Sequence, residues 1–242
     1  MYSGISIKRF SIESISQNKV QWATGIALLI HSVGLMGMIW IDRHWFARMT
    51  PLNLLLMFLL IVWSRPAKNF SFYLFIMIAF LGGMISEIIG VQTGLLFGEY
   101  TYGAIMGLQV AGVPLIIGLN WFVVLYTALA TVHYIIDHFI QSNNLTEESS
   151  ACSPISLKLI FGGALLAVFF DWVMEPVAVM LGFWTWAGEG HIPMLNYLSW
   201  FFISSILLSI FRIFRISPGN LFAVQLFLIQ LMFFILLRVF LR

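Results

Sequence analysis

Charged residues are scarce in this chain of 242 residues. They make up 9% of the sequence, whereas soluble globular domains carry about 25%. Because 61% of the residues are hydrophobic and the mean hydropathy is +0.97, a soluble globular domain is excluded. The net charge of +2 forms no basic stripe, which argues against a nucleic-acid partner. A single cysteine, Cys152, excludes an intrachain disulfide framework.

Apolar runs long enough to cross a bilayer recur along the chain. Crossing roughly 30 Å of hydrocarbon takes about 20 apolar residues. Runs of this kind lie near 20–41, 70–92, 113–136, 157–180, 196–214 and 219–240. A seventh, near 46–63, is weaker because only Pro51 to Trp63 is cleanly apolar. The sequence therefore predicts an all-α polytopic integral membrane helix bundle with about seven transmembrane helices, or six if the weaker run merely re-enters the membrane.

The whole chain, residues 1–242, is predicted to form one transmembrane domain. Residues 1–19 form a polar N-terminal segment, and 141–154 a mobile polar loop. The first apolar run is too long for a signal-peptide core, so we expect this span to be retained. Lys and Arg are more frequent in the loops that share a side with the N-terminus, which predicts a cytoplasmic N-terminus.

Three carboxylic acids interrupt the apolar runs: Glu87, Asp171 and Glu175. Each ionised group near the bilayer midplane costs roughly 2.5–3.5 kcal/mol, so three cost on the order of 8–10 kcal/mol. In a seven-span topology Glu87 lies late in the third span and the other two lie late in the fifth. The fourth span begins at the same end of the bundle with Asn120 and Trp121. This convergence predicts a polar site within the membrane, although a single such acid is equally explained by bonding within the bundle.

The spacing of Asp171 and Glu175 places both on one helix face, about 6 Å apart along the axis. Two carboxylates that close and away from water do not readily ionise together. Such a pair can keep one carboxylic acid protonated beside an anionic neighbour. We expect Glu87 to join them from another helix.

Aromatic residues make up 16% of the chain, and tryptophans gather at the end of the bundle that carries the acids. These tryptophans are Trp121, Trp172, Trp184, Trp186 and Trp200. An interfacial aromatic belt explains Trp184 and Trp186 about as well as a site wall whose ring faces stabilise a cation. The connections 93–112 and 181–195 are rich in Gly, Tyr and Trp and contain neither Lys nor Arg. We expect them to cover the site as lids.

His133 and Asp137 also share a helix face, at the opposite end of the fourth span. No third ligand is evident near them, so an interfacial ion pair is the favoured interpretation and no metal is predicted. The last span contains no lysine, which disfavours a retinal Schiff-base protein.

Short motifs follow one another between about residues 80 and 200. They are Glu87-x-x-Gly90-Val91-x-Thr93-Gly94, Phe97-Gly98-Glu99-Tyr100-Thr101-Tyr102, Gly112-Val113-Pro114-Leu115, Asn120-Trp121, Tyr126, Asp171, Glu175-Pro176, Gly182-x-Trp184-x-Trp186, Gly190-x-Ile192-Pro193, Asn196 and Trp200. In this order they resemble the membrane carotenoid-biosynthesis hydratase family, which includes carotenoid 1,2-hydratases and bisanhydrobacterioruberin hydratases. His191 and Ser199 depart from the family pattern, where an aromatic residue and a glycine are expected, and both departures bear on the lid or on substrate preference.

The resemblance implies addition of water to the terminal C1–C2 double bond of an acyclic (ψ) carotenoid end group, as in lycopene or γ-carotene. It implies no cofactor and no metal. The catalytic candidates are Glu87, Asp171 and Glu175. The substrate-binding candidates are Tyr100, Tyr102, Asn120, Trp121, Trp184, Trp186 and Asn196. The expected partners are a carotenoid from the lipid phase, membrane lipids and other enzymes of the carotenoid pathway, and the expected location is the bacterial cytoplasmic (inner) membrane.

The acids fit this chemistry because hydrating a trisubstituted alkene begins with protonation to a tertiary carbocation. A desolvated carboxylic acid can supply the proton and a second carboxylate can orient the attacking water. We expect Asp171 or Glu87 to donate the proton and Glu175 to hold the water. Trp184 and Trp186 would lie near the cation.

Three other functions stay open from the sequence. A lycopene-cyclase-like membrane enzyme would form the same cation and capture it with an internal double bond. A proton-coupled transporter would use the acids as a relay, although the two halves of the chain show no obvious repeat. A structural carotenoid-binding protein would bind pigment and tolerate loss of the acids.

Overall fold

The computed structural model describes residues 4–65, 69–142, 154–188, 191–214 and 219–241. Most of the loop predicted at 141–154, together with Cys152, lies outside these residues, and so does Gly190 of the last motif group.

Helices make up most of the fold, which confirms the predicted all-α membrane-bundle class. They are α1 (Gly4–Trp40), α2 (Arg43–Arg48), α3 (Thr50–Ser64), α4 (Phe70–Thr93), α5 (Leu115–Ser142), α6 (Pro154–Met180), α7 (Met194–Ile213) and α8 (Leu221–Phe240). Four short strands lie in the connections: β1 (Tyr100–Tyr102), β2 (Gln109–Val110), β3 (Val113–Pro114) and β4 (Trp184–Trp186). A 3-10 turn covers Ala104–Met106.

Six helices in the described part of the chain are long and apolar enough to cross a membrane. They are Gln17–Trp40, Phe70–Thr93, Leu115–Phe139, Leu157–Met180, Met194–Ile213 and Leu221–Phe240. The weak run predicted at 46–63 forms α2 and α3, and α3 has 15 residues. At 1.5 Å per residue α3 is about 22 Å long, shorter than a hydrocarbon core of roughly 30 Å. By length alone, six helices are therefore long enough to span, and α3 falls short of a full crossing.

α3 nevertheless connects the two ends of the bundle. Its first turns, with Thr50 and Asn53, line a cavity beside Trp184. At its other end the Ser64 hydroxyl lies 3.4 Å from the amide nitrogen of Asn220, just before α8 begins. The chain therefore reverses direction through α3, and the late parts of α4 and α6 lie at the same end of the bundle, as the alternating topology predicts.

The centre of the bundle is α5, which contacts α3, α4, α6, α7 and α8. Its residues 121–131 are buried without interruption. Gly83 of α4 allows the close approach of α5, because a Cβ atom placed there would lie 2.4 Å from the Trp121 ring. Small residues at such crossings let helix backbones approach in membranes. The contact with Gly83 therefore helps to set the position of the Trp121 indole.

We expect Gly83→Ala to destabilise the protein by about 1–3 kcal/mol, because the added methyl group overpacks the contact with Trp121. The measurement is thermal unfolding in detergent, followed by tryptophan fluorescence. Gly25→Ala is the matched control, since nothing lies within 4 Å of a Cβ atom at Gly25 of α1. Equal melting temperatures for the two variants would contradict this packing account.

Candidate functional site

Two connections close the site end of the bundle by pairing as an antiparallel sheet. The register places Tyr100 opposite Trp186, Thr101 opposite Thr185, and Tyr102 opposite Trp184. Side chains alternate between the faces of a strand. The two threonines accordingly lie exposed and bond to each other at 3.2 Å, while the four aromatic residues line the cavity beneath. The expected lids therefore exist as one paired layer, which we call the aromatic lid (residues 100–102 and 184–186).

The end of α4 directs the chain into this lid. Gly94 follows Thr93 with a φ of +67° and donates its backbone N–H to the Gly90 carbonyl. This left-handed conformation, which glycine adopts without steric cost, ends the helix. The turn brings Tyr100 back over Glu87, one helical turn before Gly90.

Glu87 is a buried carboxyl that accepts three hydrogen bonds. Both lid phenols donate to Oε2, Tyr100 at 2.5 Å and Tyr102 at 2.7 Å. The indole N–H of Trp121 donates to Oε1 at 2.9 Å. The Trp121 ring in turn stacks on Trp200 of α7, with centroids 3.9 Å apart. Residues from the lid, α4, α5 and α7 thus hold this carboxyl in place.

Glu175 is held from the opposite strand of the lid. Its Oε2 accepts the Trp184 indole N–H at 2.7 Å, and its Oε1 accepts the Trp186 indole N–H at 3.0 Å. The two tryptophans therefore act as hydrogen-bond donors to an acid, a role that the sequence analysis did not assign to them.

Asp171 lies one helical turn before Glu175 on the same face of α6. The Asn196 amide of α7 donates to its Oδ2 at 2.9 Å. Both residues are buried, at 2% and 3% exposure. Among the described residues Asp171 therefore accepts one hydrogen bond, compared with three at Glu87 and two at Glu175.

The three acids surround a small cavity of about 30 Å³. Its lining consists of Glu87, Phe97, Tyr100, Tyr102, Ile117, Asn120, Asp171, Met174, Glu175, Trp184, Trp186, Asn196 and Trp200. A polar cavity needs about 10–15 Å³ to hold a water molecule, so this acid cavity has room for water. No Lys or Arg occurs among the described residues that line it.

A second cavity, of about 210 Å³ and mainly apolar, adjoins the acid cavity. Four residues line both: Ile117, Asn120, Met174 and Trp184. An apolar cavity of about 150 Å³ binds one benzene ring, so this apolar cavity has room for one to two C5 units. Ile30 and Val33 of its lining are also exposed on the bundle surface, which places one side of the cavity at the lipid.

The structure brings the ten predicted site residues together. Nine of them line the acid cavity, and the tenth, Trp121, bonds to Glu87 from behind its wall. Phe97, Ile117, Met174 and Trp200 also line it and were not among the predicted site residues. Met174 lies three residues after Asp171, so helical spacing alone was a signal for it. Phe97 and Trp200 belong to the motifs that carry the family resemblance, whereas Ile117 is an apolar residue in an apolar run and gave no signal.

Trp172, one of the tryptophans expected at this end of the bundle, is not among the residues that line the acid cavity. Its side chain is 48% exposed, and the Arg238 guanidinium lies 4.8 Å from its ring. The reason is geometric, because neighbouring residues of a helix point about 100° apart. With Asp171 facing the cavity, Trp172 faces outward.

The two departures from the family pattern lie at the lid. Ser199 of α7 donates its hydroxyl to the Leu96 carbonyl, in the loop that leads to Tyr100. His191 is exposed in the connection before α7. Ser199 therefore ties the lid to α7, a bond that glycine could not make.

The pair at the other end of α5 forms as predicted. His133 Nδ1 lies 2.9 Å from Asp137 Oδ2, and both side chains are partly exposed. Within the described residues no group of three His, Cys, Asp or Glu side chains is placed to hold a metal ion.

The fold and site define an integral membrane helix bundle with a buried three-carboxyl cavity under an aromatic lid. Residues 47–241 match the sequence model of a protein family whose description is "carotenoid biosynthesis protein". The chain belongs to this family. Comparisons with curated proteins and with solved structures give no match.

The lid phenols remain neutral donors well into the alkaline range. Burial raises the pKa of Tyr100 and of Tyr102, and the neighbouring Glu87 carboxyl raises both further. In the unfolded chain tyrosine titrates near about 10. Above that pH the folded state holds more protons than the unfolded state, so stability must fall as the pH rises.

We therefore predict that Tyr100 and Tyr102 do not ionise while the protein is folded. Absorbance titration near 295 nm should give the same rise for the wild type and for Tyr100→Phe/Tyr102→Phe up to about pH 11. After denaturation the wild type should show two more ionised tyrosines than the variant. A difference already present in the folded proteins would contradict the burial of these phenols.

Proposed function

We propose that this protein hydrates the terminal C1–C2 double bond of an acyclic carotenoid end group such as that of lycopene or γ-carotene. One observation carries the proposal: three buried carboxyls surround a water-sized cavity that adjoins an apolar cavity of isoprenoid size. An alkene hydratase needs a proton donor, a water and an apolar seat for the alkene at one place. Membership of a carotenoid-biosynthesis family supports a carotenoid as the alkene.

The reaction begins with transfer of a proton from a carboxylic acid to C2, which forms a C–H bond and leaves a tertiary cation at C1. Electron-rich ring faces stabilise such a cation. Trp184 is the aromatic residue that lines both cavities, and Trp186 lines the acid cavity. The end group would therefore react at the junction of the two cavities, beside Trp184.

Asp171 is our assignment for the proton donor. Each hydrogen bond donated to a carboxylate stabilises its anionic form. Glu87 accepts three such bonds and Glu175 two, whereas Asp171 accepts one, from Asn196. The proton is therefore held best on Asp171. This choice narrows the sequence-based alternatives, which were Asp171 and Glu87.

Glu175 would hold the attacking water. It lies one turn from Asp171, and both line the acid cavity. The water oxygen adds to C1 and one of its protons passes to a carboxylate, which restores the initial protonation of the site. The net change is addition of one water, with no electron transferred and no cofactor required.

A cyclase would use the same cation and is the nearest rival. It would fold the substrate so that an internal double bond attacks C1, and water near the cation would interfere. The acid cavity has room for water beside the junction where the cation would form. Its size therefore favours capture by water.

The substrate would come from the lipid phase through the apolar cavity, whose lining includes exposed residues of α1. Membrane lipids and other enzymes of the carotenoid pathway are the partners we propose. We also propose the bacterial cytoplasmic membrane as the location, with a cytoplasmic N-terminus, because Lys and Arg are more frequent in loops on that side.

Changing each acid to its amide should lower product formation by about 10²-fold or more, the usual range for loss of acid–base catalysis. The variants are Glu87→Gln, Asp171→Asn and Glu175→Gln, expressed in a lycopene-producing bacterium. Asp137→Asn is the control, since this partly exposed acid pairs with His133 away from the site. Full activity in all three site variants would end the proposal.

The product itself separates hydration from cyclisation. Chromatography and mass spectrometry of the extracted pigments should show a product heavier by one water, with the polyene absorption unchanged. A product of unchanged mass and altered absorption would instead establish a cyclase. Pigment that is bound but chemically unchanged would indicate a carotenoid-binding protein.

A further inference from the structure

We propose that His31, Asn53 and Gln230 form a binding subsite for a hydroxyl group on the isoprenoid chain that occupies the apolar cavity. We call these three residues the polar triad. The identification of the occupant as a carotenoid rests on the proposed function. The subsite narrows that function by naming the substrate class. The preferred substrate would carry a hydroxyl group within the first two C5 units of the reacting end.

The polar triad lies in a mainly apolar cavity, whose lining also includes Thr50 and Asn120. Its members come from three helices, α1, α3 and α8, and all line the apolar cavity. His31 and Gln230 are each 5% exposed. The Oδ1 atom of Asn53 is buried without a hydrogen-bond partner among the described residues. A buried polar atom left unpaired costs about 1–3 kcal/mol, so an arrangement of this kind indicates a ligand.

The hydrogen bond of His31 to the backbone determines its tautomer and makes Nε2 the ring nitrogen that can accept a hydrogen bond in the cavity. Its Nδ1 lies 2.8 Å from the Ala27 carbonyl oxygen. A carbonyl oxygen only accepts, so Nδ1 carries the proton, and in the neutral ring Nε2 is then an acceptor. An edge-on contact with Phe233, with centroids 5.3 Å apart, holds the ring in place.

Together the triad presents both donors and acceptors. The amides of Asn53 and Gln230 can each donate and accept, and Nε2 of His31 accepts. A hydroxyl group both donates and accepts, so it can donate to Nε2 of His31 or bond to one of the amides. A hydrocarbon end group satisfies neither and leaves Asn53 Oδ1 unpaired.

The position of the triad also suits a role in selecting substrates. The apolar cavity shares Asn120 and Trp184 with the acid cavity, so a chain lying along it places its end near the acids. His31 belongs to α1, which lies outside the residues that the family model matches. Its contribution to the cavity is therefore a feature of this chain beyond the matched region.

The experiment measures binding separately from turnover. The purified protein in detergent is titrated with lycopene, 16-hydroxylycopene and 4-hydroxylycopene, and quenching of tryptophan fluorescence gives each Kd. The two alcohols place the hydroxyl in the first and second C5 units. We expect at least one alcohol to bind about fivefold to tenfold more tightly than lycopene.

Gln230→Met should abolish that preference, since methionine has a similar volume and cannot form the hydrogen bond to the hydroxyl group. Gln225→Met is the matched control, because Gln225 lies on the same helix but bonds to Thr24 outside the cavity. Asn53→Leu provides a second test if Gln230→Met does not fold. Equal Kd values for all three ligands in the wild type would overturn the proposal. An equal loss of affinity for all three ligands in the Gln230→Met variant would also overturn it.

These outcomes are distinct from those of the hydration assay. If the wild-type protein hydrates lycopene but shows no preference for the alcohols, the proposed function is supported and the role of the polar triad is contradicted. If the protein binds an alcohol through Gln230 but forms no hydrated product, the role of the polar triad is supported and the proposed function is contradicted.

Discussion

A carboxyl group inside a membrane bundle needs hydrogen-bond donors from the protein, because lipid supplies none and an unsatisfied charge is costly there. In this protein the aromatic lid supplies most of them. Two phenols reach Glu87 from one strand, and two indoles reach Glu175 from the other. The antiparallel pairing places all four side chains on the inner face. The strand pairing that forms the lid is therefore also what supplies hydrogen-bond donors to Glu87 and Glu175.

The same dependence explains why aromatic residues occupy the lid. Tyr and Trp combine a large apolar ring with one polar hydrogen, so each can cover the cavity and donate to an acid below it. The Trp121 indole extends this principle to α5, where it donates to Glu87 and stacks on Trp200. A Phe at any of these positions would keep the cover and remove one hydrogen-bond donor from a carboxyl group. The ring faces that remain directed at the cavities are the surfaces available to a cation.

Some of this could be predicted from the sequence, because helix length and direction follow from local composition. The apolar runs located the helices, and their alternation placed Glu87, Asp171 and Glu175 at one end of the bundle. The pairing of 100–102 with 184–186 could not be predicted, since its register depends on contacts between residues about 84 positions apart. For the same reason the tryptophans were expected to face a cation, and their N–H bonds to Glu175 were missed. Asn53 and Gln230 looked like isolated polar residues in apolar runs, because only the packing of α3 and α8 brings them to one cavity.

The arrangement also gives separate approaches to the two substances that the proposed hydration would bring together. The carotenoid would approach from the lipid side, where Ile30 and Val33 of the apolar cavity are exposed. On the opposite face of the lid lies a polar surface depression, lined by residues such as Gln92, Glu99 and Thr101. Tyr100 and Trp186 line both this depression and the acid cavity, so two aromatic rings lie between the polar surface and the acids. Water that reaches the acids through the lid must pass these rings, whose polar hydrogens are already bonded to Glu87 and Glu175. The bonds that hold the acids in place would thus also limit the supply of water, which suits a site that admits one water to a cation and excludes bulk solvent.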